Sequence, residues 1–158
     1  KVKGLAELLK MGPIKIKKDE FIIVQSGILP LMGLRENNDL DIIISSSARK
    51  RIFDNNQEFM RLSNGIEIFA PNYGKFMTFG AESDDDLINN YAFIVDGIRF
   101  LEPRFYFQRL FRDSEKDKTD WPGVRRFFEL EKYKGYPYNN ISLDKWGYEW
   151  QLDQAQSK

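Results

Sequence analysis

The sequence predicts an α+β fold: a small mixed β-sheet with helices packed on it. Three observations lead there. Short apolar runs alternate with stretches of helical period, an order that builds sheets covered by helices. Two hairpin signals, "SNG" at 63–65 and "DG" at 96–97, each join two runs of strand character. The chain's 158 residues, 42% hydrophobic and 15% aromatic, suffice for one domain with a core of its own.

"GLAELLKM" (4–11) carries apolar residues at 5, 8 and 9 and reads as a short amphipathic helix, which "GPIKIKKDE" breaks. "EFIIVQ" (20–25) is a strand ended by "SG" (26–27). "ILPLMGL" (28–34) is a short helix with Pro30 in its first turn. The strand "DLDIIIS" (39–45) leads into "SSSARKRIFDN" (45–55), an N-capped helix closed by two asparagines. "EFMRL" and "IEIFA" form the first hairpin, and a long polar connection (72–86) ends in a short helix from about Ser83. "YAFIV-DG-IRFLE" (91–102) is the second hairpin, with Asp96-Gly97 as a type I′ turn. "PRFYFQRLFRD" (103–113) and a stretch within 116–134, entered at Asp120 with Pro122 in its first turn, are helical. The chain is read as a single domain over 1–158, with a core from about 20 to 130 and an aromatic extension over 135–158.

Composition narrows the chemistry. Lys+Arg and Asp+Glu both number 24, so no global charge bias draws the chain to nucleic acid or membrane. Cysteine and histidine are absent. Disulfides, thiol chemistry, the usual zinc sites and a histidine base are therefore excluded. Carboxylates, lysine, arginine, tyrosine and hydroxyls remain, a set that suits hard cations such as Mg²⁺. No apolar run is long enough for a membrane helix, and no signal peptide opens the chain, which points to a cytoplasmic protein without membrane partners. The chain begins at Lys1, as a processed product or a domain of a longer protein would.

The strand at 39–45 poses a problem. Asp39 and Asp41 are two residues apart, so in a strand they share a face while Leu40 points to the other. Two carboxylates so close repel each other, and a cation or a proton resolves the conflict. A divalent metal is one answer. Exposure at a strand start, with Arg35 or a lysine as partner, is the other.

The residues around the pair carry a resemblance. "FIIVQSGILPLMGLRENNDLDIIIS" resembles the opening motif of the nucleotidyltransferase superfamily, of polymerase-beta-like fold and in particular its small bacterial and antibiotic-modifying members. That motif is a strand, a Gly-Ser or Gly-Gly turn, a short helix carrying a Gly-x-Arg, then Asp-Leu-Asp and an apolar run. Here it is met by Ser26-Gly27, Gly33-Leu34-Arg35 and Asp39-Leu40-Asp41. Glu67, within "GIEIFAP", stands where the family takes a third carboxylate, more often Asp. "VDGIRFLEPRFYFQRLF" looks like the family's later strand and helix, with Gln108-Arg109 near the position of its usual lysine, and "KDKTD" (116–120) resembles a signature that follows.

The resemblance implies a Mg²⁺-dependent transfer of a nucleoside monophosphate from an NTP co-substrate to a hydroxyl or phosphate acceptor, with release of pyrophosphate. Asp39, Asp41 and Glu67 would hold two Mg²⁺ ions, and the site carboxylates would accept the nucleophile's proton. Ser26, Gly27, Arg35, Lys116 and Lys118 would bind the triphosphate. Each has a plainer reading: an ordinary turn at 26–27, an ion pair of Arg35 with Asp39 or Glu36, a solvated charged turn at 116–118, and for Glu67 a solvent-facing strand residue. The acceptor is a small molecule, a protein or RNA, with a second domain or subunit supplying its site where it is large. The alternatives are a catalytically degenerate domain that binds a nucleotide or a partner, or a phosphotransferase variant acting on cell-surface polysaccharide. Asp84–Asp86 reads as a solvated helix start, and the tail aromatics as core or interdomain packing.

Overall fold

The computed structural model describes residues 2–9, 16–53, 60–62, 65–69, 71, 81–102, 115, 119–120 and 122–123. The helix expected over 103–113, most of that within 116–134 and the tail from 135 lie outside them. So do Lys116 and Lys118.

The fold is α+β. Helix α1 (Leu5–Leu9) precedes strand β1 (Phe21–Val24), β2 (Leu40–Ile44), helix α2 (Ser46–Ile52), β3 (Met60–Arg61) and β4 (Ile66–Ile68). Helix α3 (Asp84–Asn90) and the pair β5 (Ala92–Val95) and β6 (Ile98–Leu101) complete it. The strands form one six-stranded mixed sheet in the order β3-β4-β2-β1-β6-β5. β1 and β2 are antiparallel, while β2 runs parallel to β4 and β1 parallel to β6. The expected strands at 20–25, 39–45 and 65–70 are thus the three neighbours β1, β2 and β4.

Strands in the middle of a sheet covered on both faces are apolar throughout rather than alternating. Phe21, Ile22, Ile23 and Val24 are all buried, as are Leu40, Ile42, Ile43 and Ile44. Register sorts them. Ile23 pairs with Ile42, and Leu40 and Ile42 pair with Ile66 and Ile68, so these five share one face. Val24, Asp41 and Glu67 share the other. α3 packs across β1, β2, β5 and β6.

Local chemistry sets the boundaries. Ser45 caps α2 by accepting from the Ala48 N–H at 3.2 Å, and Ser83 caps α3 by accepting from Asp86 N–H at 3.0 Å. The second hairpin turns on Asp96 (φ 52°) and Gly97 (φ 79°), the positive pair that a type I′ turn requires. The expected helix at 28–34 is shorter and tighter than its sequence suggested. A 3₁₀ helix spans Gln25–Ile28, and turns follow to Gly33. Leu34 N–H donates to Leu29 O and Gly33 N–H to Pro30 O, with Gly33 at φ 75°. That is a Schellman ending, which needs glycine at the left-handed position.

The acidic run 84–86 is a helix start, as expected, but only partly solvated. Asp84 is buried, Asp85 accepts from both the N–H and the hydroxyl of Ser46, and Asp86 accepts from Glu82 N–H and the Asn90 amide. The run ties α3 to the start of α2, and its charge suits a helix N-terminus. A second tie joins Glu20, which precedes β1, to Arg51 of α2 through contacts of 2.7 and 2.8 Å. The Arg51 guanidinium holds the Glu20 carboxyl down to about 2, against the opposing pull of burial.

Candidate functional site

β1 and β2 are antiparallel, so the end of β1 lies beside the start of β2. Val24 pairs with Asp41, which sets the Ser26-Gly27 turn next to the segment that carries Asp39. The 3₁₀ helix holding Ser26 and Gly27 packs against β2. On the other side β4 pairs Glu67 directly with Asp41, and paired residues of adjacent strands project from the same face. Three of the candidate residues therefore gather at one end of the sheet: Asp41 and Glu67 side by side, Asp39 just outside the strand.

β3 adds a residue that the sequence did not single out. Arg61 lies opposite Glu67 in the antiparallel β3–β4 pair. Its guanidinium stands 2.9 Å from the Glu67 carboxylate and 3.8 Å from that of Asp39. One cation thus spans two of the three acids. Among the described residues, no three acidic side chains converge closely enough to hold a metal ion between them. Their oxygens are of the type Mg²⁺ takes, but the three side chains are not gathered around one point, and Arg61 bridges two of them.

Asp39 is held from behind. Asn37, 1% exposed, donates to the Asp39 carbonyl at 3.0 Å and exchanges two 2.9 Å bonds with the backbone of Lys3. Leu40 N–H donates to Gly65 O at 3.0 Å. The N-terminal segment and the first hairpin thereby brace the Asp-Leu-Asp segment. Asn37 was the readable signal missed in the sequence: a polar residue two before the first aspartate, with no apolar role.

Gly27 is also needed for packing. A Cβ there would lie 2.3 Å from Ile23 Cγ2, so the space above its Cα is filled by the chain's own core. Glycine is required for packing of the turn onto β1. Ser26 beside it is buried as well. Gly27→Ala is expected to destabilise the fold by about 1–3 kcal/mol through overpacking of a fully buried β-branched neighbour. At roughly 2–4 °C per kcal/mol for a chain of this size, thermal unfolding measures it. A wild-type melting temperature would show that the turn moves freely.

Arg35 pairs with neither Asp39 nor Glu36 carboxylate. It forms a two-pronged bond with Asp120, Nε to Oδ1 at 2.8 Å and Nη2 to Oδ2 at 3.0 Å, and Nη1 donates to the Glu36 carbonyl. Asp120 is the last residue of "KDKTD", 85 positions away. Gly123 makes a second contact there, since a Cβ on it would lie 2.5 Å from Leu34 Cδ2. The Gly-Leu-Arg segment and the last residue of "KDKTD", matched separately to the family pattern, are thus joined in space.

Compared with protein-family models, curated proteins and solved structures, the chain matches none of them.

Proposed function

We propose that this domain transfers a nucleoside monophosphate from an NTP to a hydroxyl or phosphate acceptor, on a nucleotidyltransferase-type fold. The parallel register of Asp41 with Glu67 carries the reading. It supplies what the sequence motif leaves open, a third carboxylate on a neighbouring strand, on the same face as the first motif's acid. The antiparallel β1–β2 pair joined by the Ser26-Gly27 turn supports it further.

In this reading Asp39, Asp41 and Glu67 hold the metal, and the chain's lack of histidine leaves proton acceptance to a carboxylate. Mg²⁺, when bound, neutralises the triphosphate and aligns attacking and leaving oxygens. In this reading a site carboxylate takes the acceptor's proton; Glu67 is 16% exposed and Asp39 42%. A cytoplasmic setting goes with a triphosphate substrate and a chain free of cysteine; among the described residues no helix is long and apolar enough to cross a membrane.

Two observations favour a second reading, a domain that binds a nucleotide or a partner without turnover. Ile23 packs against the Cα of Gly27, which gives that glycine a role in the core, and no three acids converge among the described residues.

A thermal-shift screen of the four NTPs, with and without Mg²⁺, tests the proposal. Ligand at a hundred times its Kd raises stability by about 2.7 kcal/mol. The expected result is a rise of several degrees for at least one NTP, present only with Mg²⁺. A rise indifferent to Mg²⁺ marks an anion patch and overturns the metal assignment.

A further inference from the structure

We propose that residues 2–9 act as a strap that docks and releases as one unit, and that Asn37 couples its docking to the order of the Asp39–Leu40 segment. The inference concerns the fold and holds whatever the domain binds.

The strap opens with a turn. Leu5 N–H donates to Val2 O at 3.4 Å. Positive φ falls at Gly4 (91°) and not at Lys3, the pattern of a type II turn. The five residues of α1 follow, and a helix that short depends on packing for its stability. That packing is narrow. Leu8 is buried and Val2 and Leu5 are half-buried, while Lys3, Ala6, Glu7 and Leu9 are exposed. Gly4 lies on β2 and β4, since a Cβ there would stand 3.1 Å from Leu40 Cβ and 3.7 Å from Ile66 Cγ1. Among the described residues, the strap's hydrogen bonds to the rest of the molecule all run through Asn37. Segments with so few buried contacts are the ones that open locally while the remainder of a protein stays folded.

Asn37 faces both partners at once. Its Oδ1 accepts from Lys3 N–H at 2.9 Å, and its Nδ2 donates to Lys3 O at 2.9 Å and to Asp39 O at 3.0 Å. The residue is 1% exposed, so loss of Lys3 leaves a buried amide acceptor without a partner, which is costly. To regain a partner the amide must turn toward water, and its bond to the Asp39 carbonyl goes with it. Release of the strap also uncovers Leu40 from the face opposite Asp41. Docking and the order of 39–40 are thereby one event. Leu40 N–H, which donates to Gly65 O at 3.0 Å, reports on it.

A passive chain end predicts something different. It would fray without disturbing Asp39 or Leu40.

Amide hydrogen exchange of the full chain, read residue by residue by NMR, separates the two. Lys3→Pro is the sharper variant: proline suits the second position of a type II turn, and the change removes the N–H that Asn37 Oδ1 accepts. Leu8→Ala loosens the strap from its other end by emptying a buried site and leaves Lys3 and Asn37 in place. The expected result in both is exchange faster by about fivefold or more at position 8 and at Leu40, with the amides of the β5–β6 pair at wild-type rates. Faster exchange at position 8 with Leu40 unchanged overturns the coupling. Uniformly faster exchange across the whole sheet overturns the strap, because residues 2–9 then open only with the entire fold. Wild-type rates at both positions in both variants overturn the two claims together.

Discussion

Asp41→Asn is expected to lower nucleotidyl transfer by at least about 10³-fold, roughly 4 kcal/mol of transition-state stabilisation, while leaving the melting temperature unchanged or higher. Asparagine keeps the shape and one acceptor oxygen but removes the charge. Asp41 and Glu67 face each other across parallel strands, and like charges so placed destabilise a sheet by about 0.2–1 kcal/mol. Arg61, 2.9 Å from Glu67, offsets part of that charge, so neutralising Asp41 relieves only what remains of the repulsion. In the proposed transferase it would remove a metal ligand, and the triphosphate charge would go uncompensated. Pyrophosphate release with the best NTP and a calorimetric scan of the same samples measure both effects. Retained transfer would remove Asp41 from the mechanism. A destabilised variant, together with a wild type silent toward every NTP, would favour the binding-only reading.

The sheet was readable because its signals are local. "DG" between two apolar runs has few other solutions, and positive φ at Asp96 and Gly97 follows from it. Ser45 and Ser83 announce the starts of α2 and α3 in the same way. The pairing of Glu67 with Asp41 was anticipated by order and by resemblance, since no local pattern says which strand lies beside which. What local pattern cannot carry is partnership at a distance. Arg35 had two acids nearby in sequence, Glu36 and Asp39, yet its partner is Asp120, where a buried carboxylate offers two oxygens in one plane to the guanidinium fork. Arg61 carries no sequence signal because an exposed arginine in an edge strand is ordinary; only the register that sets it opposite Glu67 gives it meaning. The steric need for Gly27 was not readable, since its fit against Ile23 Cγ2 is a property of the folded core. The run 84–86 read as wholly solvated because the donor that Asp85 accepts from, Ser46, lies on another helix.

Breaking the Arg35–Asp120 pair is expected to be the most destabilising single change of charge among the described ion pairs. The Asp120 side chain is 5% exposed and that of Arg35 28%, a more buried pair than Arg51–Glu20 or either contact of Arg61. Removing one member of a buried pair costs about 3–5 kcal/mol, because the other charge stays behind without compensation. Arg35 can still reach water, so Asp120→Asn should fall at or below the lower end, about 2–3 kcal/mol, or roughly 4–12 °C in melting temperature. Arg35→Lys should not preserve stability, since a point charge cannot reproduce two parallel N–H donors. The double variant Arg35→Met with Asp120→Leu should regain part of the loss, as apolar replacement of both partners often does. A strong coupling energy in that cycle would identify the pair as the clasp that holds the 119–123 segment, with Gly123 seated on Leu34, against the Gly-Leu-Arg turn. If Asp120→Asn instead leaves the melting temperature untouched while Arg35→Lys raises the KM for NTP, the arginine serves the triphosphate and the pair is only where it rests between turnovers.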